Sequence, residues 1–195
     1  KTVQLREDQP AEVEFVNHKA GTLLIKKVNS VDGSALAGAT FKVTTAEGTL
    51  LGEVTSGSNG YAALSGLQPG TVIVTEIKRP KGFILDQTPH TVVLKKNETA
   101  VVEIANTPMS RLEIQKIDSV TGKPLAGVTF QIEKLGGERI GSFVTDAAGR
   151  IVVPNLTAQW LVVKETAAPK GYKLDSRPVN VEVKPGKTTV VKFKN

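Results

Sequence analysis

Two long stretches of this chain are copies of each other, displaced by a constant 89 positions. The copied segments are LLIKKV (23–28) with LEIQKI (112–117), LAGATF (36–41) with LAGVTF (125–130), EIKRPKGF (76–83) with ETAAPKGY (165–172), and VVEIAN (101–106) with VVKFKN (190–195). Self-similarity at a fixed period predicts an array of like modules. The repeat therefore favours two similar domains in tandem over one large domain.

The same offset extends to the region before the first full copy. TVQLREDQPAEVEFVN (2–17) aligns with the last hairpin of that copy, so residues 1–19 are predicted to be the C-terminal hairpin of a preceding truncated repeat. We expect module 1 to span 20–108 and module 2 to span 109–195, within a segment of a longer array. Asn17 matches the last Asn of each copy, but its module is incomplete, so we expect it to remain an ordinary Asn.

Composition narrows the function classes. The chain has no Cys, which excludes disulfides, thiol catalysis and Cys-ligated zinc. Its 25 basic and 19 acidic residues give a net charge of +6, but the basic residues form no Arg-rich block and few aromatic residues could stack on bases. Nucleic acid is therefore not an expected partner. We also expect no cofactor, no metal site and no membrane insertion in this segment.

Short apolar runs separated by turn signals predict an all-β fold. Asn59-Gly60 and Pro69-Gly70 are the strongest turn signals of module 1, and no stretch has a convincing helical period. Seven short strands at this spacing are typical of an Ig-like β-sandwich or of a β-barrel. The connection NTPMS (106–110) is too short and too Pro-stiffened to act as a flexible tether. The strands predicted for module 1 are 22–28, 40–45, 50–55, 61–66, 71–77, 90–96 and 99–105.

Three polar residues recur in register with the repeat, each at a position where a strand points into its core. Side chains alternate between the two faces of a strand, so Lys116 shares a face with Leu112 and Ile114. The same rule turns Lys27 inward and Lys26 outward. The full inward set is Lys27, Glu76 and Asn106 in module 1, and Lys116, Glu165 and Asn195 in module 2.

An amine, a carboxyl group and a carboxamide buried together require an explanation. One interpretation is an ion pair satisfied by an additional Asn hydrogen bond. The other is a reaction, because burial lowers the pKa of a lysine and raises the pKa of a carboxyl group, which allows a neutral amine beside a neutral acid. The amine would attack the Asn side-chain carbonyl, while the acid polarises the oxygen, shuttles the proton and lets ammonia leave. The product would be an intramolecular Lys–Asn isopeptide bond.

The motifs around these residues resemble the Cna B-type domain, a prealbumin-like β-sandwich repeated in Gram-positive surface adhesins and pilins. The resemblance covers essentially the whole chain. It rests on L-x-I-x-K followed by Asp118, on TGKPLAGVTF (121–130), on KETAAPKGY (164–172) and on the terminal Asn of each copy. Module 1 departs from the pattern at Asn29, the counterpart of Asp118, and in two short stretches outside the polar triplet.

The resemblance implies specific roles for the polar triplets. The Lys of the first strand bonds to the Asn of the last strand, and the Glu of a central strand assists the reaction. Transferred by position, the crosslinks are Lys27 with Asn106 and Lys116 with Asn195, and the assisting residues are Glu76 and Glu165.

The resemblance also implies a biological role. The chain is expected to be a monomeric, extracellular stalk or spacer of a cell-wall-anchored adhesin, whose chemistry is a single self-directed turnover rather than enzymatic catalysis. Neighbouring repeats are its expected partners, and a host extracellular-matrix ligand would be bound elsewhere in the parent protein. One alternative is a pilin subunit, although no pilin motif or sorting signal is recognisable here. Another is an adhesin domain that itself binds a host-matrix protein.

Overall fold

The computed structural model describes residues 20–195, and all regular elements in that range are β-strands. The predictions for residues 1–19, including the truncated hairpin and Asn17, lie outside the described residues. The first seven strands are β1 (Gly21–Asn29), β2 (Thr40–Thr45), β3 (Leu50–Thr55), β4 (Tyr61–Leu67), β5 (Gly70–Lys78), β6 (His90–Leu94) and β7 (Thr99–Asn106). The next seven are β8 (Ser110–Ile117), β9 (Thr129–Lys134), β10 (Arg139–Val144), β11 (Arg150–Leu156), β12 (Gln159–Ala167), β13 (Val179–Val183) and β14 (Thr188–Lys194).

The all-β prediction and the two tandem sandwiches are confirmed. All seven strands predicted for module 1 are present, and their ends differ from the prediction by at most two residues. Each module packs a three-stranded sheet against a four-stranded sheet. The strand orders are β4-β1-β7 and β3-β2-β5-β6 in module 1, and β11-β8-β14 and β10-β9-β12-β13 in module 2.

The core of each module lies between its two sheets. Strand β1 alternates buried and partly exposed residues over its first seven positions, as a strand with one face in the core must. Leu23 and Ile25 are fully buried on its inner face, opposite Phe41 and Val74 of the second sheet. Module 2 repeats this arrangement, with Phe130 at the position of Phe41.

The first and last strands of each module lie side by side and run parallel. In module 1, β1 pairs with β7 so that Lys27 is opposite Ile104. In module 2, β8 pairs with β14 so that Lys116 is opposite Phe193. The Asn that ends each copy lies two residues further along the last strand and on the same face. This parallel pairing brings residues about 80 positions apart in the sequence to neighbouring places in the core.

A glycine supports the strand beside each inward-facing lysine. Gly60 has a φ of +79° and accepts a hydrogen bond from the Lys27 backbone N–H at 2.7 Å. A Cβ at this position would lie 2.7 Å from the Lys27 carbonyl oxygen, so only glycine allows the approach. Gly149 occupies the same place beside Lys116, with a φ of +67°. The turn predicted from Asn59-Gly60 therefore holds the backbone of Lys27 in place.

Candidate functional site

The polar triplet of module 1 lies in the core between the two sheets. Lys27 on β1 is fully buried, and Glu76 on β5 and Asn106 at the end of β7 are each 1% exposed. The Lys27 Nζ lies 3.7 Å from Glu76 Oε1 and donates a hydrogen bond to the Ile104 carbonyl oxygen at 3.0 Å. The ammonium is therefore anchored to the strand that carries the Asn.

Backbone groups of the loop between β5 and β6 complete this site. The Asn106 Nδ2 donates to Glu76 Oε2 and to the Ile84 carbonyl oxygen, each at 2.7 Å. The Asp86 backbone N–H donates to the same Glu76 oxygen at 3.0 Å. The loop thus closes the site over the amide and the carboxylate.

Module 2 brings the equivalent three side chains together. Lys116 is fully buried, Glu165 is 1% exposed and Asn195 is partly buried. The Lys116 Nζ lies 3.5 Å from Glu165 Oε2, and the Asn195 Nδ2 donates to Glu165 Oε1 at 2.7 Å. The structure therefore gathers all six residues that the sequence turned inward into two separate clusters, one in each module.

Burial governs the electrostatics of both lysines. Loss of hydration lowers the pKa of Lys27, and the nearby Glu76 carboxylate opposes this effect. The pKa of Lys116 is lowered for the same reason, against the attraction of Glu165. A lowered pKa increases the fraction of neutral amine, which is the nucleophilic form of lysine.

Several polar atoms of the two clusters have no hydrogen-bond partner within residues 20–195. These atoms are Glu76 Oε1, Asn106 Oδ1, Lys116 Nζ and Asn195 Oδ1. Buried unpaired polar atoms are uncommon in folded proteins because each loses its hydration without replacement. Four of the five such atoms in residues 20–195 belong to these two clusters, so the clusters are where buried polar groups most need an explanation.

The orientation of the amide differs from the arrangement that sequence reasoning suggested. The sequence analysis paired the Glu with the amide oxygen, whereas both Asn side chains direct Nδ2 at the carboxylate. In module 1 the Ile84 carbonyl explains this orientation, because a carbonyl oxygen can accept a hydrogen bond only from Nδ2. The carboxyl group is therefore placed against the nitrogen that would leave as ammonia.

Two further contacts near the sites were missed by sequence reasoning. The backbone groups of Ile84 and Asp86 carry no residue-type signal and could not be found from side-chain patterns. In module 2 the Tyr172 hydroxyl donates to Asp118 Oδ2 at 2.8 Å. Its signal was present in the repeat, because module 1 has Asn29 and Phe83 at the two equivalent positions.

Other polar candidates have ordinary structural roles. Asp32, Asp118 and Asp146 each accept a hydrogen bond from the backbone N–H two residues ahead, as turn residues do. Across residues 20–195 no group of three His, Asp or Glu side chains could hold a metal ion. Trp160 is 49% exposed on the outer face of β12. No helix in the described range is long and apolar enough to cross a membrane.

A family model for the SpaA prealbumin-like fold domain matches this chain twice, over residues 21–108 and 110–195. The chain belongs to the SpaA prealbumin-like domain family. This confirms the prealbumin-like fold that the resemblance to Cna B-type domains implied, in two tandem SpaA-type copies. A comparison with curated proteins finds no match.

Solved structures that match this chain include two pilins and the Bacillus anthracis TIE protein. The Bacillus anthracis TIE protein is 30% identical over 91% of this chain, with a TM-score of 0.48, and the chain spans 33% of that structure. A streptococcal ancillary pilin is 20% identical over 92% of this chain and 63% of its own, with a TM-score of 0.50. The minor pilin of Streptococcus agalactiae is 19% identical over 90% of this chain and 95% of its own, with a TM-score of 0.47.

Proposed function

We propose that these two SpaA-type modules form part of the stalk of a bacterial surface protein, and that each module is locked by an intramolecular isopeptide bond. The bonds join Lys27 to Asn106 and Lys116 to Asn195. The observation that carries this proposal is that a buried Lys, a buried Glu and an Asn lie in contact at the same three places in both modules.

The reaction uses only groups present in each cluster. A proton passes from Lys27 Nζ to the Glu76 carboxylate, which leaves a neutral amine and a neutral acid. The amine attacks the Asn106 Cγ, so that a C–N bond forms and the carbonyl oxygen becomes negatively charged. The Cγ–Nδ2 bond then breaks as the Glu76 carboxyl, which already contacts Nδ2, gives its proton to that nitrogen. The regenerated carboxylate takes the extra proton from the newly bonded Lys27 nitrogen and passes it to the departing ammonia. One amide is formed and one is broken, and the nitrogen leaves as ammonium.

Product formation removes the ionisable amine from the core. The neutral amide no longer carries the desolvation penalty of a buried ammonium. The carboxyl group returns to its starting state, but its amine and amide partners have been consumed, so the reaction runs once in each module. Each module is therefore a structural domain that modifies itself once, and not a turnover enzyme.

The topology gives the bond a mechanical role. Because β1 and β7 are the first and last strands of module 1, tension on the chain enters near Lys27 and leaves near Asn106. A covalent link between these residues carries the load past the strands between them. It also restricts the unfolded chain as a long-loop crosslink does, by about 4 kcal/mol in the chain-entropy model. These properties suit an extracellular stalk, while host-ligand binding and cell-wall attachment belong to other parts of the parent protein.

Intact-mass measurement tests the bonds. We expect the purified chain to be lighter than its sequence by two ammonias, and Glu76→Ala or Glu165→Ala to restore one ammonia each. Glu103→Ala, which removes an exposed carboxylate of β7, is the matched control and should leave both losses in place. In single-molecule stretching, the wild type should resist extension of the enclosed residues, and each Glu variant should release one module. A wild-type mass equal to the sequence mass would leave only a buried ion pair.

A further inference from the structure

The loop between β5 and β6 of module 1 is held in place by the linker to module 2. The Ile84 backbone N–H donates to the Thr107 carbonyl oxygen at 2.9 Å, and the Met109 N–H donates to the Gly82 carbonyl oxygen at 2.8 Å. Phe83, between these two points, forms an isolated bridge with Pro108. Two backbone hydrogen bonds on either side of a bridge fasten the loop to residues 107–109.

The fastened loop is also the part of module 1 that closes the reactive cluster. The Ile84 residue that binds Thr107 through its N–H uses its carbonyl oxygen to accept from the Asn106 Nδ2. Two residues later, the Asp86 N–H binds the Glu76 carboxylate. Ile84 therefore connects the linker to the cluster, since its N–H binds the linker and its carbonyl oxygen binds Asn106.

Module 2 holds the equivalent loop differently. Among the described residues, the Asn195 Nδ2 donates only to Glu165. A side-chain contact ties the loop to its own module, since the Tyr172 hydroxyl donates to Asp118 Oδ2 at 2.8 Å.

We propose that residues 107–109 act as a clasp that positions Ile84 for isopeptide formation in module 1, so that the linker promotes bond formation in the module that precedes it. This inference rests on the proposed function. Ile84 is a positioning residue, because its carbonyl oxygen holds the Asn106 Nδ2 against Glu76. In that position the nitrogen can receive its proton from Glu76 as the Cγ–Nδ2 bond breaks, once the Lys27 Nζ–Cγ bond has formed.

The clasp can be opened by one substitution in the full chain. Met109→Pro removes the N–H that binds Gly82, whereas Met109→Ala keeps the N–H and loses only the side chain beside Arg79. Cell-free synthesis with timed denaturing quench, followed by peptide mass spectrometry, would follow both crosslinks in the same molecule. We expect Met109→Pro to slow the Lys27–Asn106 bond about fivefold, the effect of losing one hydrogen bond, with the Lys116–Asn195 bond unchanged. Met109→Ala should form both bonds at the wild-type rate.

A second measurement separates this inference from the proposed function. In Lys27→Met no bond can form, and the Asn106 side-chain amide protons report directly on the Ile84 hydrogen bond by NMR exchange rates. We expect these protons to exchange faster in Lys27→Met/Met109→Pro than in Lys27→Met alone. Equal exchange in the two proteins would overturn the clasp, as would equal slowing of both crosslinks or slowing of neither. A wild type without crosslinks would refute the proposed function, and the exchange rates would still decide the clasp.

Discussion

The two modules carry the same Lys–Glu–Asn triplet on equivalent strands, but different groups hold the neighbouring loop over it. In module 1 the loop after β5 is fastened by backbone hydrogen bonds to the linker, and it seals Asn106 to 1% exposure. In module 2 the equivalent loop is fastened by side chains of its own module, and Asn195 is only partly buried. The framework of the site is therefore common to both copies, whereas the groups that hold the loop over it differ.

Several substitutions between the copies exchange a charged residue for an apolar or neutral one. The charge lies in module 2 in the pairs Ile84 with Lys173, Thr88 with Arg177, and Ala105 with Lys194. It lies in module 1 in the pairs Lys78 with Ala167 and Arg79 with Ala168. These changes run in both directions and leave the Lys–Glu–Asn triplet unchanged.

The largest expected effect comes from removing the buried carboxylates. Glu76→Ala and Glu165→Ala each leave a lysine buried without its counter-charge, which costs about 3–5 kcal/mol of unfolding free energy, in addition to the loss of the crosslink. The loss should be greater in module 2 by about 1 kcal/mol, because Lys27 keeps its hydrogen bond to Ile104 and Lys116 has none within the described residues. Denaturant titration with module-resolved hydrogen exchange would measure both values.

The double variant Lys116→Met/Glu165→Leu separates the two contributions. It removes both buried charges and still forms no crosslink. Its free energy of unfolding should therefore regain the part that Glu165→Ala loses through the unpaired lysine, but not the part lost with the crosslink. Equal losses in the two modules for the single Glu variants would contradict the asymmetry, and would show that the Ile104 contact adds nothing to stability.

A smaller effect is expected from acid. Backbone N–H donation from Thr121, followed by the Tyr172 hydroxyl and the Val120 N–H, lowers the pKa of Asp118 from 3.8 to about 2. The unfolded chain therefore takes up this proton at higher pH than the folded chain does. The stabilisation is complete above about pH 4 and is lost as the pH falls towards 2. Trp160 fluorescence during denaturant unfolding would follow this loss in module 2.

Asp118→Asn, which introduces the residue found at the equivalent position 29, should reduce the loss of module 2 stability between about pH 4 and pH 2. A residual slope should remain from Asp175, whose pKa is also lowered to about 2 by hydrogen bonding to Arg177. Tyr172→Phe should reduce the slope less than Asp118→Asn, since the backbone donors remain. An unchanged slope in Asp118→Asn would show that this carboxylate does not contribute to the acid stability of module 2.

The smallest effect is expected at the neighbouring lysine. Lys26 lies on the outer face of β1 and forms an exposed ion pair with Glu103 at 2.8 Å. Exposed pairs of this kind contribute little to stability, so Lys26→Met should unfold as the wild type does and keep both ammonia losses. The module 2 counterparts, Gln115 and Lys192, cannot form the pair at all. Lys27→Met is the matched control and should restore one ammonia, whereas a restored ammonia in Lys26→Met would refute the assignment of the strand faces.

Much of the site was predicted from the alternation of side chains between the two faces of a strand. Alternation alone turned Lys27 inward and Lys26 outward, and the structure places Lys27 at 0% exposure while the Lys26 side chain is 41% exposed. The repeat supported this assignment, because each inward polar residue in one copy has the same residue type at the equivalent position in the other copy. The reaction itself, and the roles of Glu76 and Glu165 in it, remain predictions.

The sequence by itself determined the two modules, their strands and the faces on which the polar residues lie, because period and alternation are properties of side-chain order. Only the tertiary structure decided the parallel pairing of β1 with β7, the orientation of the Asn106 amide and the clasp through Ile84. These depend on backbone carbonyls and N–H groups, which every residue type except proline offers alike, and on the path of a loop across a long sequence separation. The order of side chains does not predict which backbone N–H or carbonyl group will lie at a site, because that depends on the path of the folded chain.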